Sequence, residues 1–412
     1  MNTILFLSGK TMGDSLGSIG RALGPLFEEQ GFEFIELVPS QPGSTDILNQ
    51  IIKEKKLDFV FSFAGMGADY KAANDRNLWE VLGIPFLAIH GDSPAYFFDR
   101  HVHASPYVAV VYGFHEHYNF RKQLPKINGV LAIAEPLPLN QFTLEDIDFK
   151  KKESGKLFFL KNGNDPEKLR RMWGRDLPPR IASGLFALAD ELDNEIASDL
   201  GLDLNGFVSG FFGGKGIDID QVPKLHLFYV AQLDDYLRRI KSTMMAEVLK
   251  EFPVEIHGYN WEHIDFHGSK CHYVKGADYS LSTGLIKDSL GMIDMSPNTG
   301  SNFHDRPLRA FGAYTLCLTN EQACFQQVFE NHADFSFRFE RESLREKVAD
   351  VLAHPQRYVE IGRNTALDFQ QKFKVEASIR RLCEIADAVR IGAATRQVDM
   401  QDFFLWPPVS LT

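Results

Sequence analysis

Short apolar runs alternate with stretches of helical spacing from the first residues of the chain. Residues 4–8, 34–38, 58–64, 85–90, 107–112 and 130–134 are each a strand's length and rich in β-branched and aromatic side chains. Apolar runs of this kind, with little internal alternation, mark strands covered on both faces of a parallel sheet. Between them Ile19, Leu23, Leu26 and Phe27 fall at helical spacing, as do Ile47, Leu48, Ile51 and Ile52, so each set can cover one face of that sheet. The first half is therefore predicted to be a doubly wound α/β domain.

From 156 to 252 the pattern turns mainly helical, after one strand-like run at 157–160. The stretch Gly210-Phe-Phe-Gly-Gly-Lys-Gly216 lacks both the GK[ST] ending and the preceding strand of a phosphate loop, so it reads as a turn or hinge. Leu227, Val230, Leu233, Leu237 and Ile240 then form a long amphipathic segment expected to carry the chain into a second domain. Strand-like runs resume at 254–257, 291–296, 314–319 and 334–339, with helical patterns between them, which predicts a second α/β domain. The expected organisation is a first domain over 1–225 that includes a helical insert, a second over 226–390, and a tail over 391–412 that packs back on the first.

With 412 residues, 44% hydrophobic and 24% charged, the chain is long enough for two cores of ordinary size. A net charge of −11 disfavours a broad nucleic-acid footprint, which needs concentrated positive charge, so no nucleic-acid partner is expected. The basic runs Lys53/Lys55/Lys56, Arg170/Arg171 and Arg238/Arg239/Lys241 read as solvated helix faces. The cysteines Cys271, Cys317, Cys324 and Cys383 are widely spaced, which fits a reducing, cytoplasmic compartment better than a disulfide framework. No run reaches the roughly 18 apolar residues of a membrane span. His263, His267, Cys271 and His272 are interrupted by Gly268, and the triplets Asp146-Ile-Asp148 and Asp218-Ile-Asp220 arise easily in an acidic chain, so no metal is expected.

Candidate chemistry concentrates at strand ends. After Asp294 a strand runs into a small-residue loop, and a helix begins near Phe303; the free backbone N–H groups of such a loop suit a diphosphate, although a well-capped helix has the same pattern. In the first half, the glycines of Ser8-Gly-Lys-Thr-Met-Gly-Asp-Ser-Leu-Gly-Ser-Ile-Gly20 fit a dinucleotide motif only loosely. Ile89-His-Gly-Asp-Ser-Pro94, followed by Tyr96, Arg100 and His101, puts a dense polar set at a strand's carboxyl end. There Asp92 is a candidate general base or the cap of the next helix, and His90 is the second candidate.

Ser296-Pro297-Asn298, Phe303-His304-Asp305-Arg306, Gly312-Ala313 and Leu318-Thr319, continued through Leu352-Ala-His-Pro355, Arg363 and Phe369, resemble the C-terminal domain of group 1 glycosyltransferases. The likeness runs from Ser280 to Val389 and is strongest to the branch typified by the spore maturation protein CgeB, to which Asp92-Ser-Pro94, Arg100-His101 and Tyr112-Gly-Phe114 are also similar. It implies the GT-B arrangement, two Rossmann-like domains facing across a cleft, with donor nucleotide on the second and acceptor on the first. On that basis Pro297, Asn298, Ser301 and Asn302 face the donor sugar and diphosphate, and His304 and Arg306 flank the diphosphate. Gly258 lets backbone approach the ligand, and Val274 and Lys275 lie where relatives hold the base. Gly13, Asp14 and Ser15 border the acceptor, and Asp305 caps its helix or holds Arg306.

This sequence departs from many retaining relatives, which place two glutamates at the spacing of Ser301 and Arg309; Arg309 is left as a nucleotide contact or a surface arginine. The implied reaction is transfer of a sugar from a nucleotide-sugar substrate to a cell-surface glycan or protein, without metal or cofactor. A nucleotide-sugar 2-epimerase and a catalytically silent sugar-nucleotide-binding module are the alternatives.

Overall fold

The computed structural model describes residues 1–9, 14–125, 129–137, 139, 142–192, 203–276, 279–296 and 298–395. They form two compact units, Met1–Leu137 with Phe373–Thr412, and Pro138–Lys372.

The first unit opens with β1 (Thr3–Leu7), α1 (Ser15–Glu29), β2 (Glu33–Leu37), α2 (Ser44–Glu54) and β3 (Leu57–Phe63). It continues with α3 (Leu78–Leu82), β4 (Phe86–His90), β5 (Val108–Tyr112), α4 (His115–Gln123) and β6 (Leu131–Ile133). Each of the six expected runs is a strand. They pair in parallel in the order β2-β1-β3-β4-β5-β6. β1, β4, β5 and β6 are buried at every position, which is why their sequences barely alternate. One face is packed with phenylalanine: Phe6 stacks on Phe61 at 4.9 Å, and Phe27 from α1 meets Phe59 edge-on at 6.0 Å. Burying each such ring stabilises the fold by about 1.5–3 kcal/mol. Because β2 and β3 lie on opposite sides of β1, the order reverses there, and the carboxyl ends of β1 and β3 form the crevice where open α/β sheets gather ligands.

The second unit holds α5 (Phe149–Glu153), β7 (Leu157–Leu160), α6 (Pro166–Asp176), α7 (Pro179–Leu192), α8 (Leu204–Gly213) and α9 (Pro223–Leu249). β8 (Glu255–Gly258), β9 (His272–Lys275), α10 (Tyr279–Asp288), β10 (Gly291–Ile293), α11 (Asp305–Gly312) and β11 (Leu316–Asn320) follow. The last elements are α12 (Ala323–Val328), α13 (His332–Phe335), β12 (Ser336–Phe337), α14 (Arg341–Ala353) and α15 (Pro355–Lys372). All strands are parallel, in the order β12-β11-β10-β7-β8-β9, so this sheet reverses between β7 and β10. The glycine stretch is the end of α8 and the turn after it, with Gly216 at φ 73. α9 starts with Pro223 in its first turn, where a missing N–H costs nothing, and buries Leu227, Val230, Leu233 and Leu237.

The chain then returns to the first unit as α16 (Val375–Thr395). Ile379, Leu382, Ile385, Ala386 and Val389 join the core that contains Phe6 and Phe59. This grouping differs from the expected division at 225/226. β7 is a central strand of the second sheet, so α6 to α9 are its crossover to β8 rather than an insert between units, and α16 belongs with the first sheet rather than the second. The reason is physical: a four-residue apolar run carries no address. Its partners, with Phe158 opposite both Glu255 and Met292, lie far along the chain. The tail expected to pack back is outside the described residues beyond Thr395. Among the described residues no helix is long and apolar enough to cross a membrane.

Candidate functional site

The crevice of the second sheet begins at Lys161, directly after β7. Its backbone is held from both sides: the N–H donates to the His257 carbonyl at 2.9 Å, and the Trp261 indole N–H donates to its carbonyl at 2.9 Å. The loops after β7 and β8 are zipped together, with Gly163 N–H on the Tyr259 carbonyl at 2.8 Å and the Asn260 amide on Asn164 Oδ1 at 2.8 Å. Gly258 serves this close approach. At φ 153, a Cβ there would sit 2.0 Å from the Lys161 carbonyl oxygen, so the glycine makes room for a neighbouring loop. Burial, reinforced by Arg306 and Arg238, brings the Lys161 ammonium down to about 7, and its Nζ makes no hydrogen bond or ion pair with the described residues. Sequence reading missed this lysine. The available signal was an apolar strand ending in Lys161-Asn-Gly-Asn-Asp-Pro166, a strand-to-helix loop like the one after Asp294.

Across the reversal, Asp294 follows β10 and is fully buried; its Oδ1 accepts from Arg306 Nε at 2.5 Å, while Arg306 Nη2 donates to the Met295 carbonyl at 2.9 Å. Arg306 thus ties α11 back to its own loop through Asp294, where Asp305 was an expected partner. Asp305 pairs instead with His304. Burial pushes the Asp305 carboxyl up, and the neighbouring His304 and Arg306 outweigh it, holding the group well below the usual carboxylate range. A negative charge in this first turn also suits the helix dipole.

Of the rest of the expected donor set, Asn298, Ser301, Asn302 and Arg309 are buried. Asn298, in the left-handed region at φ 62, donates to Asp234 Oδ1 at 2.8 Å and accepts from Lys241 Nζ at 3.1 Å, which fastens the loop to α9. Ser301 is buried, and Asn302, also buried, accepts from the Phe303 N–H at 2.7 Å. Arg309 is not a surface arginine: it is buried, donates to the Tyr279 carbonyl at 2.9 Å and to Ser282 Oγ at 2.5 Å, and stacks over the Tyr279 ring at 3.8 Å. Val274 and Lys275 lie on the edge strand β9, half-buried and exposed respectively. Pro297 is outside the described residues. What the fold brings together is Lys161, Arg238 and Arg306 with Asp294 and Asp305.

The first unit's crevice has a different make-up. Gly13 is outside the described residues; Asp14, at φ 49, pairs with Arg21, which also reaches Glu36 at 2.8 Å, and Ser15 opens α1 half-buried. His90 ends β4, 3% exposed, its ring 3.9 Å from that of His101. Its Nε2 has no partner and sits beside Gly65, where a Cβ would come within 3.3 Å of it. Burial, then His101, holds His90 well below the ordinary imidazole range, and burial brings His101 to about 3. His101 Nε2 faces the Tyr96 carbonyl at 3.1 Å, which only accepts, so that nitrogen carries the proton and Nδ1 accepts from the Tyr112 hydroxyl at 2.7 Å. Asp92 is exposed. No helix starts at it: the next element is a 3₁₀ turn, Phe98–His101, with Phe97 at its N-cap, so the capping alternative has no helix to cap. Phe97 holds φ 51, a conformation costing a bulky residue roughly 1–2 kcal/mol.

The acidic triplets have local duties. Asp146 closes a capping box with Thr143, Asp148 accepts from the Lys151 N–H at 3.0 Å, and Asp220 meets Ser209 Oγ and His226 Nδ1, each at 3.0 Å. Among the described residues no three His, Cys, Asp or Glu side chains gather as a metal site.

Residues 238–384, from α9 into α16, match the family described as glycosyl transferase-like. No curated protein matches the chain. Among solved structures, T4 phage BGT in complex with its UDP-glucose substrate aligns with 94% of this chain and 100% of that one at 10% identity, with a TM-score of 0.49. AviGT4, a glycosyltransferase involved in avilamycin A biosynthesis, aligns over 93% and 98% at 9% identity and a TM-score of 0.41. An α-glucosyltransferase in complex with UDP and a 13-mer DNA aligns over 92% and 95% at 8% identity and a TM-score of 0.38. These likenesses are weak, and the fold stands on the two parallel sheets themselves. The two sheets show two Rossmann-like units, and the glycosyl transferase-like match lies within residues 238–384, from α9 into α16.

Proposed function

We propose that the protein transfers a sugar from a nucleotide-sugar donor whose diphosphate binds at the carboxyl ends of β7 and β10, with Lys161 as a cation of that site. The observation that carries this reading is the Lys161 ammonium, unpaired and partly stripped of water beside Arg306 and Arg238 at the point where the sheet reverses. A cation crowded by like charges gains most from an anion, and a diphosphate brings a dense one. Arg306 and Asp294 position the loop, and the start of α11 adds a helix N-terminus. Positive charge on the departing diphosphate is the help the reaction needs, so we propose transfer without a divalent metal or a cofactor.

The acceptor side is assigned to the first unit. Asp92, a carboxylate exposed to solvent, is the proposed base that takes the acceptor hydroxyl's proton; His90, held neutral by burial, is a poor proton acceptor and better suited to receiving a hydrogen bond. We propose a glycan or protein acceptor, since a chain of net charge −11 is ill suited to a polyphosphate. The narrower CgeB-like branch rests on Asp92-Ser-Pro94 and Phe303-His304-Asp305-Arg306, and a cytoplasmic site on four cysteines that remain thiols. Calorimetric titration with UDP-, GDP-, dTDP-, CMP- and ADP-sugars tests the donor site. The expected result is binding of at least one, unchanged by EDTA and weakened in Lys161→Met. Binding that Lys161→Met leaves intact, or that EDTA abolishes, would overturn it.

A further inference from the structure

Phe97 is 69% exposed and sits in the left-handed region at φ 51, where a bulky side chain is out of place both in solvation and in backbone. The surroundings impose this. The Tyr96 carbonyl is held by His101 Nε2 at 3.1 Å, the Phe97 carbonyl by the Arg100 N–H at 2.8 Å, and the Arg100 carbonyl by His103 Nε2 at 2.8 Å. Both histidines are buried. A buried scaffold therefore presents an aromatic ring to solvent from the loop that follows β4, the same loop that carries Asp92. Arg100 lies over one face of the ring, 4.8 Å from its centre.

We propose that Phe97 is the platform of a carbohydrate acceptor subsite. A sugar ring lays its apolar C–H face on the phenyl ring, and the exposed carboxylates of Asp92 and Asp99 accept hydrogen bonds from its hydroxyls. Flat aromatic rings supply contact area at low entropic cost, and carboxylates are strong acceptors for O–H donors. The same two carboxylates argue against a nucleobase stacked from a polynucleotide, whose phosphates they would repel. The inference rests on the reading that the β4 loop is the acceptor side, and gives that acceptor a chemical class.

The test uses saturation-transfer NMR on the full chain with UDP present and cellobiose, maltose and chitobiose as probes, beside a short oligothymidylate. Phe97→Gly suits the left-handed backbone and should stay folded, and Phe97→Trp keeps a platform. The expected result is transfer to the ring C–H protons of at least one saccharide, with an affinity that falls about five- to ten-fold in Phe97→Gly and is kept in Phe97→Trp. Unchanged saccharide binding in Phe97→Gly, no saccharide binding at all, or oligothymidylate binding that depends on Phe97 would each overturn it. UDP titration of the same variants separates the two readings. Nucleotide binding that survives in Phe97→Gly leaves the donor site standing even where the platform fails, whereas a chain that binds neither UDP nor any of the five nucleotide-sugars loses the glycosyltransferase reading whatever Phe97 does.

Discussion

At the carboxyl end of the first sheet, burial has removed charge: His90 and His101 are pressed together as neutral rings, one bonded to Tyr112 and the Tyr96 carbonyl and the other with an open Nε2. At the corresponding end of the second sheet charged groups gather: Lys161 lies near Arg238, Arg306, Asp294 and Asp305, with Arg306 paired to Asp294 and Arg238 to Asp234. Both crevices lie where a doubly wound sheet collects ligands, so topology alone would treat them alike. The side chains divide the labour. Under the proposed function, the neutral histidines beside the exposed Asp92 suit a polyhydroxylated acceptor, and Lys161 beside Arg306 and Arg238 suits a diphosphate.

A second contrast lies within the second unit. Lys152 and Lys161 are both brought to about 7 by burial, yet Lys152 donates to Thr315 Oγ1 and packs under the Ile286 carbonyl, while Lys161 has no such acceptor. An equal shift accompanies a structural lysine in one place and an available one in the other. The partner, not the shift, separates them.

The largest effect expected from breaking this arrangement is on folding. Arg306→Ala leaves Asp294 charged and fully buried, which should cost about 3–5 kcal/mol of stability, measured as a drop in urea midpoint. A variant that keeps its stability and loses only donor affinity would make Arg306 a ligand group rather than a brace. Next is Asp92→Asn, which keeps the shape and removes the base: turnover should fall roughly 10²-fold, about 2.7 kcal/mol in the barrier, with donor affinity unchanged. Near-normal turnover would send the search for the base elsewhere in that crevice.

Lys161→Met should weaken UDP-sugar binding by about 1.5–3 kcal/mol, the worth of a hydrogen bond to a charged group, whereas Lys152→Met should leave it unchanged. The pH dependence sharpens this. The Lys161 amine holds its proton below about 7, so wild-type donor affinity should decline as pH rises above that value, and calorimetry on Lys161→Met should show a flatter profile.

The smallest effect belongs to the neutral histidines. His101 titrates near 3 when folded and near 6.5 when unfolded, so the unfolded chain takes up the proton first as pH falls. Its contribution is complete above 6.5 and is lost progressively towards 3, about 2 kcal/mol by pH 5. Urea titrations at pH 7 and pH 5 should show that loss, and His101→Gln should shrink it.

The strands and helices were legible because burial on both faces of a sheet leaves apolar runs such as Thr3–Leu7, and one buried face leaves helical spacing such as that of Leu23 and Phe27. The loop from Asp294 to Arg306 was legible as a strand-to-helix turn of small residues. Its side-chain roles were not, since nothing local says that Arg306 meets Asp294 or that Arg309 turns into the protein under Tyr279. Lys161 escaped notice because its neighbours Arg238 and Arg306 reach it only through folding.

By itself, then, the sequence determined which segments are strand or helix and that two parallel sheets would form, because periodicity is a local record of which faces lose water. Only the tertiary structure decided that β7 belongs to the second sheet, that α16 closes the first, and which charges meet in each crevice. Those outcomes depend on contacts between residues far apart in the chain, chosen by packing and by the cost of leaving a buried charge or strand edge unpaired.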